Sequence, residues 1–144
     1  MKIRHISITA RDAIALARFY VEVFGLEERR AAKRLSGELI SRGNGLPNTE
    51  VLSIWLNAPD QSEPFLELME YDEPLCRGEP AVNEPGFGHI AIRVSNIDDT
   101  IQAILKNGGS MQGEVVNLGT IENPIKLVYI RDLEGNILEL EETK

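Results

Sequence analysis

His89-Ile90-Ala91-Ile92 restates His5-Ile6-Ser7-Ile8 at an offset of 84 positions, and each copy leads within about ten residues into a helix-like pattern. A second pair closes the halves. Leu138-Glu139-Leu140-Glu141-Glu142 echoes Leu66-Glu67-Leu68-Met69-Glu70 at an offset of 72, with four of five positions identical, so the first half is longer by twelve residues. Equivalent residues of a duplicated unit occupy equivalent places, which constrains both the fold and where a site can form.

Working outward, each half opens on an alternating strand, Ile3 to Thr9 or Gly88 to Val94. Ile6 and Ile8, or Ile90 and Ile92, share one face of it, and His5 and His89 take the other. Asp12 and Asn96 are natural N-caps, while Gly25 and Gly108-Gly109 are natural stops, which predicts a helix of about three turns in each half. Ala13, Leu16, Ala17, Tyr20 and Phe24 form the apolar stripe of the first; Ile97, Ile101, Ile104 and Leu105 form that of the second. Strands are predicted over Leu26 to Leu35, Glu50 to Asn57 and Glu63 to Tyr71, and over Met111 to Leu118, Pro124 to Arg131 and Asn136 to Glu141. Ser36 to Ser41 fits a short helix, and Arg42 to Asn48 a loop able to act as a lid. Each half thus reads strand, helix, three strands: an α+β chain of two βαβββ modules, each a twisted sheet with its helix on one face. Prolines and glycines interrupt the stretch between them, giving a first module over 1–72, a linker over 73–86 and a second module over 87–144.

The 144 residues suffice for a core without disulfides. Fifteen Lys plus Arg against 23 Asp plus Glu give a formal charge of −8, the wrong sign for gripping nucleic acid or an anionic membrane. The single cysteine, Cys76, suits a reducing compartment, and with no apolar run of spanning length the expected location is the cytoplasm.

Strand alternation turns Leu66, Leu68, Leu138 and Leu140 towards the helices and Glu67 and Glu139 away from them, onto the faces that carry His5 and His89. A His or Glu on the polar face of a strand is most often merely solvated. Here, however, the chain's two histidines fall on equivalent positions and a Leu-Glu-Leu closes both halves. Two imidazoles and two carboxylates make a four-ligand set suited to one divalent ion: nickel, zinc, cobalt, manganese or iron.

With Phe19-Tyr20 through Phe24-Gly25-Leu26, Phe65-Leu66-Glu67-Leu68, Gly88-His89-Ile90-Ala91-Ile92 and Asp132-Leu133-Glu134-Gly135-Asn136-Ile137-Leu138-Glu139-Leu140, the chain resembles the vicinal oxygen chelate superfamily over nearly its whole length. That superfamily includes glyoxalase I, methylmalonyl-CoA epimerase, extradiol dioxygenases, fosfomycin-resistance enzymes and bleomycin resistance proteins. The resemblance implies a cup-shaped sheet around one metal, with His5, Glu67, His89 and Glu139 at the ligand positions, and a homodimer. Within the superfamily, His-Glu-His-Glu is the pattern of glyoxalase I, whereas the epimerases commonly carry Gln where this chain has Glu67. Thr9 and Tyr71 stand where bacterial glyoxalase I has a basic residue and an Asn.

The expected activity is that of a glyoxalase-like lyase or isomerase on a small oxo or thiol-adduct substrate, with Glu139 or Glu67 moving a proton by way of a metal-stabilised enediolate. Trp55, Tyr71 and Arg93 are the candidate substrate contacts. An epimerase is the alternative within the family, and a non-catalytic protein that sequesters a ligand or antibiotic is the alternative from another class.

Overall fold

The computed structural model describes residues 1–59 and 61–143. It divides into two compact units, Met1–Cys76 and Arg77–Lys144.

In the first unit β1 (His5–Thr9) leads into α1 (Ala13–Phe24), followed by β2 (Glu27–Ser36), α2 (Glu38–Asn44), β3 (Glu50–Asn57) and β4 (Phe65–Tyr71). Asp12 starts α1 by accepting the Ala15 N–H at 2.8 Å. Gly25 ends it in the left-handed region, φ 67°, where its N–H turns back to the carbonyls of Tyr20 and Val21. The sheet order is β1-β4-β3-β2, with β1 and β4 parallel and the other pairs antiparallel. Ala13, Leu16, Ala17 and Tyr20 bury one stripe of α1, while Ile54, Leu56 and Leu68 are buried on the strands it packs against. The helix α2 starts later than expected and runs three residues into the predicted lid loop. Its end is pinned to β3, because Asn44 accepts from Leu46 N–H and bonds Thr49, and Thr49 N–H donates to Ser41 Oγ.

The second unit repeats the plan with β5 (Ile90–Arg93), α3 (Ile97–Lys106), β6 (Ser110–Met111), β7 (Val116–Asn117), β8 (Ile125–Arg131) and β9 (Ile137–Thr143). Asn96 caps α3 by accepting the Asp99 N–H at 3.1 Å. The order is β5-β9-β8-β6, with β7 also on β8 and with β5 and β9 parallel. The strand predicted over Met111 to Leu118 is two short pieces. Gln112 and Gly113 both turn their N–H groups to the Tyr129 carbonyl, which bulges the chain away from a continuous ladder.

Leu68 and Leu140 are wholly buried at equivalent places. Each contributes on the order of 1.5–3 kcal/mol by leaving water. A slip of one residue would expose both and drive Glu67 and Glu139 into the apolar layer, so the leucines fix the register that aims the glutamates. Among the described residues, no helix is long and apolar enough to cross a membrane.

Candidate metal and substrate site

The parallel strand pairs place the two histidines and two glutamates by the same rule. Ser7 lies opposite Glu67 and His5 two residues before it; Ala91 lies opposite Glu139 and His89 two residues before it, one residue ahead of β5. The outcome is a His–Glu pair in each unit. His5 Nε2 stands 3.4 Å from Glu67 Oε2, and His89 Nε2 stands 3.1 Å from Glu139 Oε2. The carboxylates are recessed, with side chains 12% and 10% exposed, while the imidazoles are 41% and 38% exposed.

The antiparallel neighbours continue the correspondence. Trp55 is directly opposite Glu67, and Tyr129 is directly opposite Glu139. Trp55 Nε1 and Ser53 Oγ each donate to Glu67 Oε1 at 2.8 Å. The Tyr129 hydroxyl hydrogen-bonds Glu139, and that bond holds its pKa above the ordinary phenol value; burial and the carboxylate's charge push the same way. Aromatic rings flank both imidazoles: Tyr129 meets His89 edge-on at 5.1 Å, and Phe65 lies 5.1 Å from His5 and 4.6 Å from Trp55. Ser53 and Tyr129 escaped the sequence reading. The signal was faint, because Trp55 precedes Glu67 by twelve residues while Tyr129 precedes Glu139 by ten, the hairpins differing in length.

These donors fit a divalent metal. Two ligand atoms about 2.1 Å from one ion and about 90–110° apart stand about 3.0–3.4 Å from each other. Both observed His–Glu separations fall in that range. In the first pair the neighbouring strand's donors occupy Oε1 and leave Oε2 facing the imidazole, the arrangement in which outer hydrogen bonds orient a ligating carboxylate. Among the described residues, no group of three or more His, Cys, Asp or Glu side chains is gathered to hold a metal ion.

The remaining candidates fall on or near the same faces. Tyr71 lies opposite Val51 at the end of β4, four residues beyond Glu67 and of the same strand parity, and it is half-buried. Arg93 is exposed, four residues beyond His89 and opposite Glu141. In the second unit a pocket of about 450 Å³ lies at His89, bounded also by Val82, Gln112, Tyr129 and Ile137. It is mostly apolar and wide open to solvent. Arg131 is committed elsewhere: it is buried and donates to Gln112 Oε1 and to the carbonyls of Gly135 and Pro80.

A sequence comparison decides the family. The profile of the Glyoxalase/Bleomycin resistance protein/Dioxygenase superfamily matches residues 4–126. This chain belongs to that superfamily. A glyoxalase family protein from Bacillus cereus is 27% identical with a TM-score of 0.87, over 99% of this chain and 94% of that one. Human mitochondrial methylmalonyl-CoA epimerase is 23% identical over 141 residues, which is 98% of this chain and 73% of the human protein. A glyoxalase I mutant from Zea mays shares the fold, with a TM-score of 0.67 at 17% identity, over 97% of this chain and 44% of the maize chain. The superfamily member described here therefore has enzymes among its relatives, and its two βαβββ units are the fold the repeats predict.

Proposed function

We propose that this superfamily member is a divalent-metal-dependent, glyoxalase-like lyase or isomerase that shifts a proton between neighbouring carbons of a small oxo or thiol-adduct substrate. The observation that carries the proposal is the His–Glu pair built twice on the same register, with an aromatic donor opposite each glutamate. His5, Glu67, His89 and Glu139 are the four residues to hold the ion. Bound there, a divalent cation supplies Lewis-acid stabilisation to negative charge developing on a substrate oxygen.

The side chains divide the remaining work. Glu67 has one oxygen fastened by both Ser53 and Trp55, so its role is to stay in place. Glu139, beside the Tyr129 phenol, takes the proton from the carbon and returns it to the neighbouring one. Trp55, Phe65 and Tyr129 shield the exchange from water, and Tyr71 and Arg93 make substrate contacts from the same strand faces. No Ser, Cys or Lys nucleophile is needed, and Cys76 is exposed and outside the site.

The test pairs metal analysis with turnover. Purified protein and a His5→Ala, His89→Ala double variant are analysed for metal, reloaded with nickel, cobalt, zinc or manganese, and assayed for isomerisation of the methylglyoxal–glutathione hemithioacetal. Metal in the wild type, none in the double variant, and turnover lost in Glu139→Gln support the proposal. A wild type that takes up no metal under any loading overturns it in favour of a sequestering protein. The human relative, matched along 98% of this chain, favours epimerase chemistry as the second reading. Solvent deuterium appearing in methylmalonyl-CoA, with the hemithioacetal untouched, would select it.

A further inference from the structure

Strand β2 carries Arg29, Arg30, Lys33 and Arg34 in a chain of net charge −8. Arg34 is neutralised by Asp72 at 2.7 Å. Arg30 is different: its hydrogen bonds go to Ser53, at 2.8 Å to Oγ and 3.4 Å to the carbonyl, and its Nε is buried without a partner. No carboxylate among the described residues forms an ion pair with it.

Its position follows from a bulge. Glu28 pairs with Leu56 and Arg30 with Trp55, so two steps along β2 match one step along β3 and Arg29 is the extra residue. A bulge of this kind brings successive side chains to one side of the sheet and is a common way to re-aim a residue. Both guanidiniums accordingly lie over rings of the His5–Glu67 face: Arg29 is 4.7 Å from the Phe65 centroid and Arg30 is 3.9 Å from that of Trp55. Arg30 reaches Ser53 Oγ, and Ser53 Oγ reaches Glu67, so the unpaired cation sits one hydroxyl away from a candidate metal ligand. A purely structural arginine in a chain with 23 acidic residues would be expected to find a carboxylate, as Arg34 does.

We propose that Arg30 is a specificity-determining residue that recognises a carboxylate carried by the substrate. The half-buried guanidinium meets it with the donors that Ser53 leaves open, above the Trp55 ring and beside Arg29. The parallel N–H donors along a guanidinium edge match the two oxygens of a planar carboxylate. The inference rests on the function proposed above only in taking the His5–Glu67 face as the substrate side.

Trp55 is the sole tryptophan and lies against the Arg30 guanidinium, so its fluorescence reports on Arg30. The chelator-treated chain is titrated with succinate, with neutral succinamide of the same length, and with inorganic phosphate. Expected is a saturable change with succinate, none with succinamide, a loss of affinity of about tenfold or more in Arg30→Gln, and partial recovery in Arg30→Lys. Succinamide matching succinate on the wild type, or no response to either, overturns the proposal without recourse to any variant. So does a folded Arg30→Gln that binds succinate as tightly as wild type, or phosphate binding more tightly than succinate. Metal content, read separately on untreated samples, judges the metal proposal, so either can fail while the other stands.

Discussion

Glu142 accepts the backbone N–H of Ile97 at 2.7 Å, fastening β9 to the first residue of α3. Glu70 does the same for Ala13, the first residue of α1, at 2.8 Å. The Ile97 bond, and after it Lys126, holds the Glu142 carboxyl below its ordinary value of 4.5, against the opposing effect of burial. A folded-state pKa below the unfolded one means that the carboxylate stabilises the fold above the unfolded value, and that this contribution is lost as pH falls through the folded value. Glu142→Gln should therefore be less stable than wild type at about pH 7, and the deficit should be smaller at about pH 3. Urea unfolding of both proteins at the two pH values checks this; a deficit that does not change with pH would contradict it.

Ser53 is wholly buried and stands between Arg30 and Glu67. Replacing it with Ala removes a donor to the carboxylate and the acceptor that Arg30 uses, in a place water does not reach. Loss of stability of about 1–3 kcal/mol is expected from urea unfolding. A Ser53→Ala protein as stable as wild type would mean that the network is not formed in solution.

The fold was legible because its signals are local and doubled. Asp12, Asn96 and Gly25 mark helix ends through their own backbone and side-chain chemistry, and the buried leucines at 68, 138 and 140 fix strand parity. The strand predicted over Met111 to Leu118 failed because its break depends on two N–H groups finding the distant Tyr129 carbonyl. At the site, alternation was enough to put His5 and Glu67, and His89 and Glu139, on shared faces. Tyr129 and Ser53 were illegible because cross-strand register, set by hairpin length, decides what stands opposite a glutamate. Arg30 needed still more, since a bulge reverses the parity that plain alternation assigns.

Arg131 tests how the stretch before β5 is held. Arg131 is 8% exposed, and its guanidinium donates to the carbonyls of Pro80 and Gly135 and to Gln112 Oε1, with Glu79 at 3.3 Å. Arg131→Met removes the donor to those carbonyls and the ion pair with Glu79, at a cost of about 1–3 kcal/mol in unfolding free energy. Metal content should be unchanged, because none of these contacts reaches His89 or Glu139. Normal stability combined with impaired substrate saturation would instead make Arg131 a ligand contact.

Trp55 and Tyr129 offer the sharpest comparison between the units, since each faces a candidate ligand across an antiparallel pair. Tyr129→Phe deletes only the hydroxyl that orients Glu139 and keeps the ring beside His89. Hydrogen bonds of this outer kind typically contribute about 10–100-fold in metal affinity. Tyr129→Phe should therefore bind metal about 10-fold or more weakly in competition with a chelator, while unfolding close to wild type. Trp55→Phe removes one of two donors to Glu67, and with Ser53 still bonded its effect on metal affinity should be the smaller of the two. If both variants bound metal as tightly as wild type, the two aromatic donors would be packing residues and Glu67 and Glu139 would need another source of orientation.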